Sequence, residues 1–303
     1  MAADLSVVIC TYNRPDLLRR SLDAVEAQSY PGPIETIIVF DKSDPDTTLE
    51  RDSGNRTVRT LRNARTSGLP GARNTGLEQV RAPVAALCDD DDAWAPAKAD
   101  HQLALLAAHP EIDVVFSGMR AMTDRGPAVR IPDSDRLTFP MLLADRVADA
   151  HISSAMFRVD ALRDRIGLFD EQIPGGYCED YEWTLRAARA TQMAVVREPL
   201  VDVRWGTGSY FSDRWRTIDD ALEYLVAEFP EFATNRRGLA RVLGQQAFAR
   251  AAAGERREAW PKIREVLRND WREPRAYLAA LVAARVASPE RVLAYLNRRG
   301  HGI

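Results

Sequence analysis

The chain has 303 residues, 46% of them hydrophobic, with 41 basic against 44 acidic side chains and a formal net charge of −3. That length buries one good core and leaves room for a smaller appended unit. The charge balance gives nucleic acid no electrostatic footprint, so no nucleic-acid partner is expected, and no apolar stretch approaches the roughly 20 residues that span a bilayer. Cys10, Cys88 and Cys178 are odd in number and scattered, which gives neither a disulfide framework nor a zinc pattern. Met1-Ala2-Ala3-Asp4 leads straight into an apolar run, so no signal peptide is expected and a reducing cytoplasm is the simplest setting.

The first half alternates strands and helices. Leu5 to Cys10 is an apolar, β-branched run, and Arg14-Pro15-Asp16 opens an amphipathic helix through about Gln28, with Pro15 suited to its first position. Leu17, Leu18, Leu22 and Val25 form its inward stripe. Strands are predicted at Glu35–Phe40, Val58–Leu61, Pro83–Cys88 and Val114–Ser117, and helices at 71–80 and 98–108. This alternation implies an α/β fold, a mostly parallel sheet with helices on both faces. Residues 118–150 mix turns with short elements. Ile152–Arg158 reads as a strand, 160–166 as a short helix, 179–190 as a helix, and Met193–Val203 as two short strands. From Asp213 the pattern is helical, with Pro230 ending the first segment and further helices at 236–253, 255–268, 274–286 and 289–299. The chain therefore divides at about 1–210 and 211–303, and the second part is an all-helical appendix. It resembles a tetratricopeptide-like helix pair, but no second copy shows at a fixed period. Self-association through it, as a homodimer, is one of its expected jobs.

The chemistry concentrates at the predicted strand ends. Asp89 to Asp92 directly follow an apolar strand, and four carboxylates a few ångströms apart need a positive neighbour or protonation. A divalent cation with oxygen ligands is the economical answer, at the place where open α/β sheets bind ligands. Asp89 and Asp91, two apart, would point to one side of an extended segment. The plainer reading is a solvated turn with Asp92 capping the next helix. Thr11-Tyr12-Asn13-Arg14 sits at a helix start that favours anions, or simply caps it. Asp41 can accept hydrogen bonds from a nucleobase or ribose, or serve a turn. Arg73, within Gly71-Ala72-Arg73-Asn74-Thr75-Gly76, can face a phosphate, while the glycines allow close approach or only packing. Glu179-Asp180-Tyr181-Glu182-Trp183 opens a helix. Its acids either cap it or present a carboxylate able to take a proton from a bound hydroxyl.

Taken in order, Ser6 to Arg14, Val39-Phe40-Asp41, Gly71 to Gly76, Asp89 to Trp94 and Glu179 to Trp183 resemble the family 2 glycosyltransferases, inverting nucleotide-sugar enzymes of GT-A fold. The likeness covers about residues 5–205 and not the helical tail. It implies a metal-dependent transfer of a sugar from a nucleotide-diphosphate donor, a UDP-sugar by default, to a hydroxyl of a sugar, lipid-linked or small-molecule acceptor. It places Thr11, Asn13, Arg14, Asp41, Arg73 and Asp90 around the nucleotide. It makes Asp89 and Asp91 the pair for Mg²⁺ or Mn²⁺, and Asp180 the general base. Glu179, Trp183 and His151 fall on the acceptor side or behind the site. Two departures stand out: Arg204-Trp205-Gly206 replaces the Arg-x-His string of many relatives, and Lys42 follows Asp41 where a second acid is common. A sugar-1-phosphate nucleotidyltransferase is the runner-up, although Cys10 to Asp16 lacks the glycine and lysine its phosphate loop needs. A scaffold on a degenerate transferase domain is the non-catalytic alternative. Trp215 and Trp271, with nearby arginines, either touch a lipid surface at the inner face of the membrane or pack within the tail.

Overall fold

The computed structural model describes residues 2–123, 125–205, 211 and 213–298. They fall into two compact units, one built from Met1–Phe139, Val147–Glu171 and Glu179–Trp205, the other from Pro140–Arg146, Gln172–Cys178 and Gly206–Ile303.

The first unit is a twisted sheet with helices on its faces. Strands β1 (Leu5–Thr11), β2 (Ile34–Phe40), β3 (Arg51–Asp52), β4 (Arg56–Arg62), β5 (Val84–Asp89), β6 (Ala93–Trp94), β7 (Val114–Thr123), β8 (Gly126–Arg130), β9 (Arg136–Leu137), β10 (Met156–Arg158) and β11 (Met193–Arg204) run in the order β3-β4-β2-β1-β5-β10-β7-β11-β6, with β8 on β7 and β9 on β11. Every residue of β1 and β2 is buried, as a parallel strand covered on both faces requires. Helix α1 (Pro15–Glu26) buries Leu18, Leu22 and Val25 while Leu17 is half-buried at the edge of that stripe. Helices α2 (Leu69–Glu78), α3 (Lys98–Ala108), the single turn α5 (Val159–Ala161) and α6 (Glu179–Ala190) complete the set, while the short α4 (Phe139–Ala144) lies almost wholly in the second unit. Helix α2 lies unusually close to the sheet: a Cβ on Gly76 would collide with Val8 of β1, and one on Gly71 with the Thr66 carbonyl.

Register puts the chemistry on one line. Thr11 of β1 is level with Phe40 of β2, and Cys10 with Asp89 of β5. The ends of three parallel strands therefore present Thr11, Asp41 and Asp89 side by side. Strand β10 runs antiparallel between β5 and β7, while β7 and β11 are parallel to each other.

Three expectations about elements change. Ile152–Ser154 is a 3₁₀ turn rather than the start of a strand, because Ser154 Oγ bonds back to the His151 carbonyl at 2.7 Å, an alternative to ladder pairing that short hydroxyl side chains offer. Met193–Arg204 is one strand, with irregularities on both sides of Pro199; a proline without an N–H interrupts the ladder without ending the strand. Strand β7 continues past Ser117 to Thr123 by pairing with β8 in a hairpin.

The second unit contains α7 (Trp215–Glu228), α8 (Arg236–Ala252), α9 (Arg256–Asn269), α10 (Pro274–Ala283) and α11 (Pro289–Arg298). Its core joins Leu243, Ala247 and Phe248 of α8 to Ile263 and Val266 of α9 and to Ala279 and Val282 of α10. Small residues on α8 let its neighbours close in. A Cβ on Gly238 would strike the Leu143 carbonyl, and one on Gly244 would press on Arg275. Among the described residues no helix is long and apolar enough to cross a membrane.

Candidate active site at the strand ends

The acidic residues do not lie along an extended segment. Strand β5 ends at Asp89, and Asp92 N bonds the Asp89 carbonyl at 3.1 Å, closing a tight turn. The four side chains consequently fan in different directions, and Asp89 and Asp91 do not share a strand face. Nor does Asp92 cap α3, whose N-terminus has no side-chain cap. The turn is fixed from behind by Ser21 of α1, whose Oγ donates to the Asp92 carbonyl at 2.5 Å.

Two arginines hold the turn from opposite sides. Arg14 Nη1 donates to Asp91 Oδ2 at 2.8 Å and its Nη2 lies 3.3 Å from Asp90 Oδ1, with the Arg14 side chain 48% exposed. Thr11 Oγ1 donates to Asp90 Oδ2 at 2.7 Å. Arg73 is buried. It donates to Asp89 Oδ1 at 2.8 Å and to Glu179 Oε1 at 2.5 Å, with its guanidinium 5.1 Å from the Phe169 ring centre. A buried guanidinium between two carboxylates is the arrangement in which arginine outperforms lysine, since its fork serves both at once.

Asp92 has its own seat. Its Oδ2 accepts from Ser153 Oγ at 2.6 Å, its Oδ1 accepts from Arg204 N at 3.1 Å, and His151 Nδ1 lies 3.4 Å away. Ser153 Oγ in turn accepts from Asp89 N at 3.0 Å. One hydroxyl thus ties together both ends of the acidic turn. Trp94 Nε1 donates to the Ser153 carbonyl at 3.0 Å, and Gln102 to the Ser154 carbonyl at 2.8 Å. Ligand atoms of Asp89, Asp92 and His151 lie within 4.8 Å of one another.

Burial sets the charge state. It pushes Asp90 up to about 6, against the opposing hydrogen bond from Thr11 and the charge of Arg14. It pushes Asp92 up to about 7 despite His151, and Glu179 up to about 7 despite Arg73. The site therefore holds more carboxylate than the two arginines neutralise, and it accommodates the excess by binding protons. A divalent cation relieves the same excess.

Comparison with known proteins bears on what this arrangement is for. Residues 6–166 match the family described as Glycosyl transferase family 2. The chain belongs to that family. The family 2 enzyme assignment, a glycosyltransferase, agrees with its relatives. It is 28% identical over 202 residues to an uncharacterized glycosyltransferase, YwdF, of Bacillus subtilis (strain 168), a match covering 66% of this chain and 72% of that protein. In structure it is similar to S. aureus TarS 1–349 in complex with UDP-GlcNAc, at a TM-score of 0.63 and 21% identity, over 98% of this chain and 92% of that one. It is also similar to the mannosyltransferase PcManGT from Pyrobaculum calidifontis in complex with GDP-Man and Mn²⁺, at 0.58 and 18%, over 96% and 83%. At these identities the structural likeness establishes the α/β fold of such transferases.

Thr11, Arg14, Arg73, Asp89, Asp90 and Asp91, inside the matched stretch, and Glu179, beyond it, form the ion-pair and hydrogen-bond groups described above. Asp41 stands beside them at the end of β2, where its carboxylate accepts from Asn63 Nδ2 at 2.8 Å and Gly68 N at 3.1 Å, so it anchors the loop ahead of α2. Asn13 is exposed with a positive φ of 53° and turns the chain from β1 into α1. Asp180 is half-buried in the first turn of α6 and accepts from Tyr181 N at 2.8 Å. Trp183 is fully buried, stacked on Phe169 with ring centres 5.4 Å apart and tilted against Phe157 at 5.1 Å. Its indole N–H donates to the Gly167 carbonyl at 3.2 Å, so the buried ring braces the start of α6. His151 joins through Asp92. Gly206 lies outside the described residues. The sequence reading missed Ser153 and the role of Asp92, along with Asn74, whose Nδ2 and Oδ1 clamp the Phe169 backbone at 2.8 Å each. No local pattern marks them, because their partners lie 61 and 95 residues away in the chain.

Proposed function

We propose that this enzyme transfers a sugar from a nucleoside-diphosphate donor, a UDP-sugar by default, to an acceptor hydroxyl, with inversion and with the help of Mg²⁺ or Mn²⁺. The observation that carries the proposal is the level set of strand ends, which places an over-acidic turn between one half-exposed and one buried arginine, beside the start of α6.

The donor atoms fit a hard cation: carboxylate oxygens with one imidazole, three of them converging within 4.8 Å. The converging atoms are those of Asp89, Asp92 and His151, which would hold it, and Asp91, paired with Arg14, would join Asp89 once that arginine turns away. When bound, the cation neutralises charge developing on the departing diphosphate. Arg14, tethered only by carboxylates and half-exposed, turns toward the phosphates when they arrive. Arg73 keeps Asp89 and Glu179 at a fixed separation. Asp41 faces the base or ribose from its anchored position. Asp180 takes the proton of the acceptor hydroxyl as that oxygen bonds to the anomeric carbon. The bond from that carbon to the diphosphate oxygen breaks as this happens, and its electron pair leaves with the diphosphate.

Two experiments separate the parts. Thermal shifts with nucleoside diphosphates, with and without Mn²⁺, should reveal a metal-dependent stabilisation by one nucleotide; no shift with any nucleotide would count against the donor site. Asp180→Asn should lower transfer about 10²–10⁴-fold while leaving that nucleotide shift in place. Undiminished transfer would remove Asp180 from the role of base.

A further inference from the structure

The exposed face of α10 is unusual for a helix bordered by water. The side turned inward carries Ala276, Ala279, Val282 and Ala283. The outer side carries Pro274, Tyr277, Leu281 and Ala284, all exposed, at the i, i+3, i+7, i+10 spacing of one helical stripe. No charge interrupts that stripe over its length of about 15 Å. Apart from Arg275, paired with Glu273 at 2.8 Å, α10 is apolar on its inner and outer sides alike, and such a helix belongs inside something. Tyr277 is 50% and Leu281 41% exposed, and at the two ends of the stripe stand Trp271, 65% exposed, and Val286, 71% exposed. They form a patch, since Tyr277 Oη donates to the Trp271 carbonyl at 2.6 Å and Val286 N to the Leu281 carbonyl at 2.9 Å. Trp215, by contrast, packs edge-on against Phe248 at 5.7 Å inside the unit.

Charge says what covers this patch. Arg272 lies 5.1 Å over the Trp271 ring at one end and Arg285 is exposed at the other; neither forms an ion pair with a described residue. Residues 256–298 carry ten Lys and Arg against five Asp and Glu, in a chain that is net −3 overall. A second copy laid on this face would bring Arg272 and Arg285 toward their like. An anionic lipid surface attracts the arginines and offers the headgroup boundary that tryptophan and tyrosine prefer.

We propose that the α10 face, bounded by Trp271–Arg272 and Arg285–Val286, seats the enzyme on an anionic bilayer, with α10 lying along the interface. The test is flotation of the full chain with vesicles of phosphatidylcholine alone and of phosphatidylcholine containing phosphatidylglycerol. The protein should float only with the anionic vesicles, and less so as salt is raised. Arg272→Gln with Arg285→Asn should weaken partitioning about fivefold per arginine; asparagine is chosen because Arg285 has a φ of 62°. Trp271→Ser with Leu281→Ser alters only exposed side chains and should abolish binding without lowering the melting temperature. Equal flotation with both vesicle types, or flotation untouched by these variants, would overturn the proposal. So would a concentration-dependent dimer that the Trp271 and Leu281 changes dissolve. None of these readouts uses catalysis, so failure here leaves the transfer reaction standing.

Discussion

Replacing Arg73 with methionine tests the electrostatic core of the site. The side chain is buried, and its guanidinium holds Asp89, 23% exposed, and Glu179, 8% exposed. Removing one partner of a buried ion pair typically costs about 3–5 kcal/mol, because the other charge is left stranded. Asp89 can recover part of that loss from water; Glu179 cannot, and would take up a proton instead. Its carboxyl already titrates at about 7, raised from 4.5 by burial even with Arg73 present. A raised carboxyl means that the folded state holds its proton longer than the unfolded chain. The resulting stability is fully present below about 4.5 and is lost as pH rises through about 7. Without Arg73 that window extends upward. Arg73→Met should therefore cost about 3–5 kcal/mol at pH 8 and clearly less at pH 6, and Glu179→Gln placed on top should restore part of the loss. Urea denaturation of the parent, both single variants and the double variant at the two pH values gives the cycle. A loss under about 1 kcal/mol at pH 8, or additive losses in the double variant, would refute the stranded-charge argument.

Lys98 is fully buried with its Nζ 3.7 Å from the Trp94 ring centre and 2.7 Å from Gln102 Oε1, and burial lowers it from 10.5 to about 7. The folded state thus sheds this proton before the unfolded chain does, and stability should climb between about pH 7 and 10.5. Lys98→Met should flatten that climb in denaturation curves and add about 1–4 kcal/mol at pH 7; an unchanged slope would place the pH dependence elsewhere. Ser153→Ala removes the hydroxyl shared by Asp92 and Asp89 N. It should cost about 1–3 kcal/mol and weaken Mn²⁺ binding measured by paramagnetic resonance, with Ser153→Thr restoring both. Parent-like Mn²⁺ affinity in the alanine variant would show that this seat does not govern the cation.

The sequence disclosed most where one residue's neighbours along the chain decide its state. Helix α3 begins at Lys98 and ends at Ala108, and α6 spans Glu179 to Ala190, at the limits their periodicity predicts. The strand ends were legible for the same reason, since largely apolar runs stop at Thr11, Asp41 and Asp89. What stayed hidden was set by distant contacts. Nothing around Ser153 announces a bond to Asp92, and the neighbouring serines look like strand residues until their hydroxyls are seen bonding backbone. Four consecutive aspartates suggested an extended pair, whereas the turn from Asp89 to Asp92 distributes them to Arg73, Thr11, Arg14 and Ser153. The two readings of Trp183 could not be separated from sequence, because an aromatic beside acids looks the same whether it faces a cleft or the core; in the structure it is buried.

Gly76 gives the site a mechanical dependence that no charge diagram would show. It sits one helical turn beyond Arg73 and has no room for even a methyl group against Val8. The distance from Arg73 to the acidic turn is therefore a matter of how low α2 can ride on the sheet. Any side chain at position 76 acts as a shim: it lifts the helix, stretches the Arg73 bonds to Asp89 and Glu179 together, and alters the electrostatics of the turn without touching a charged atom.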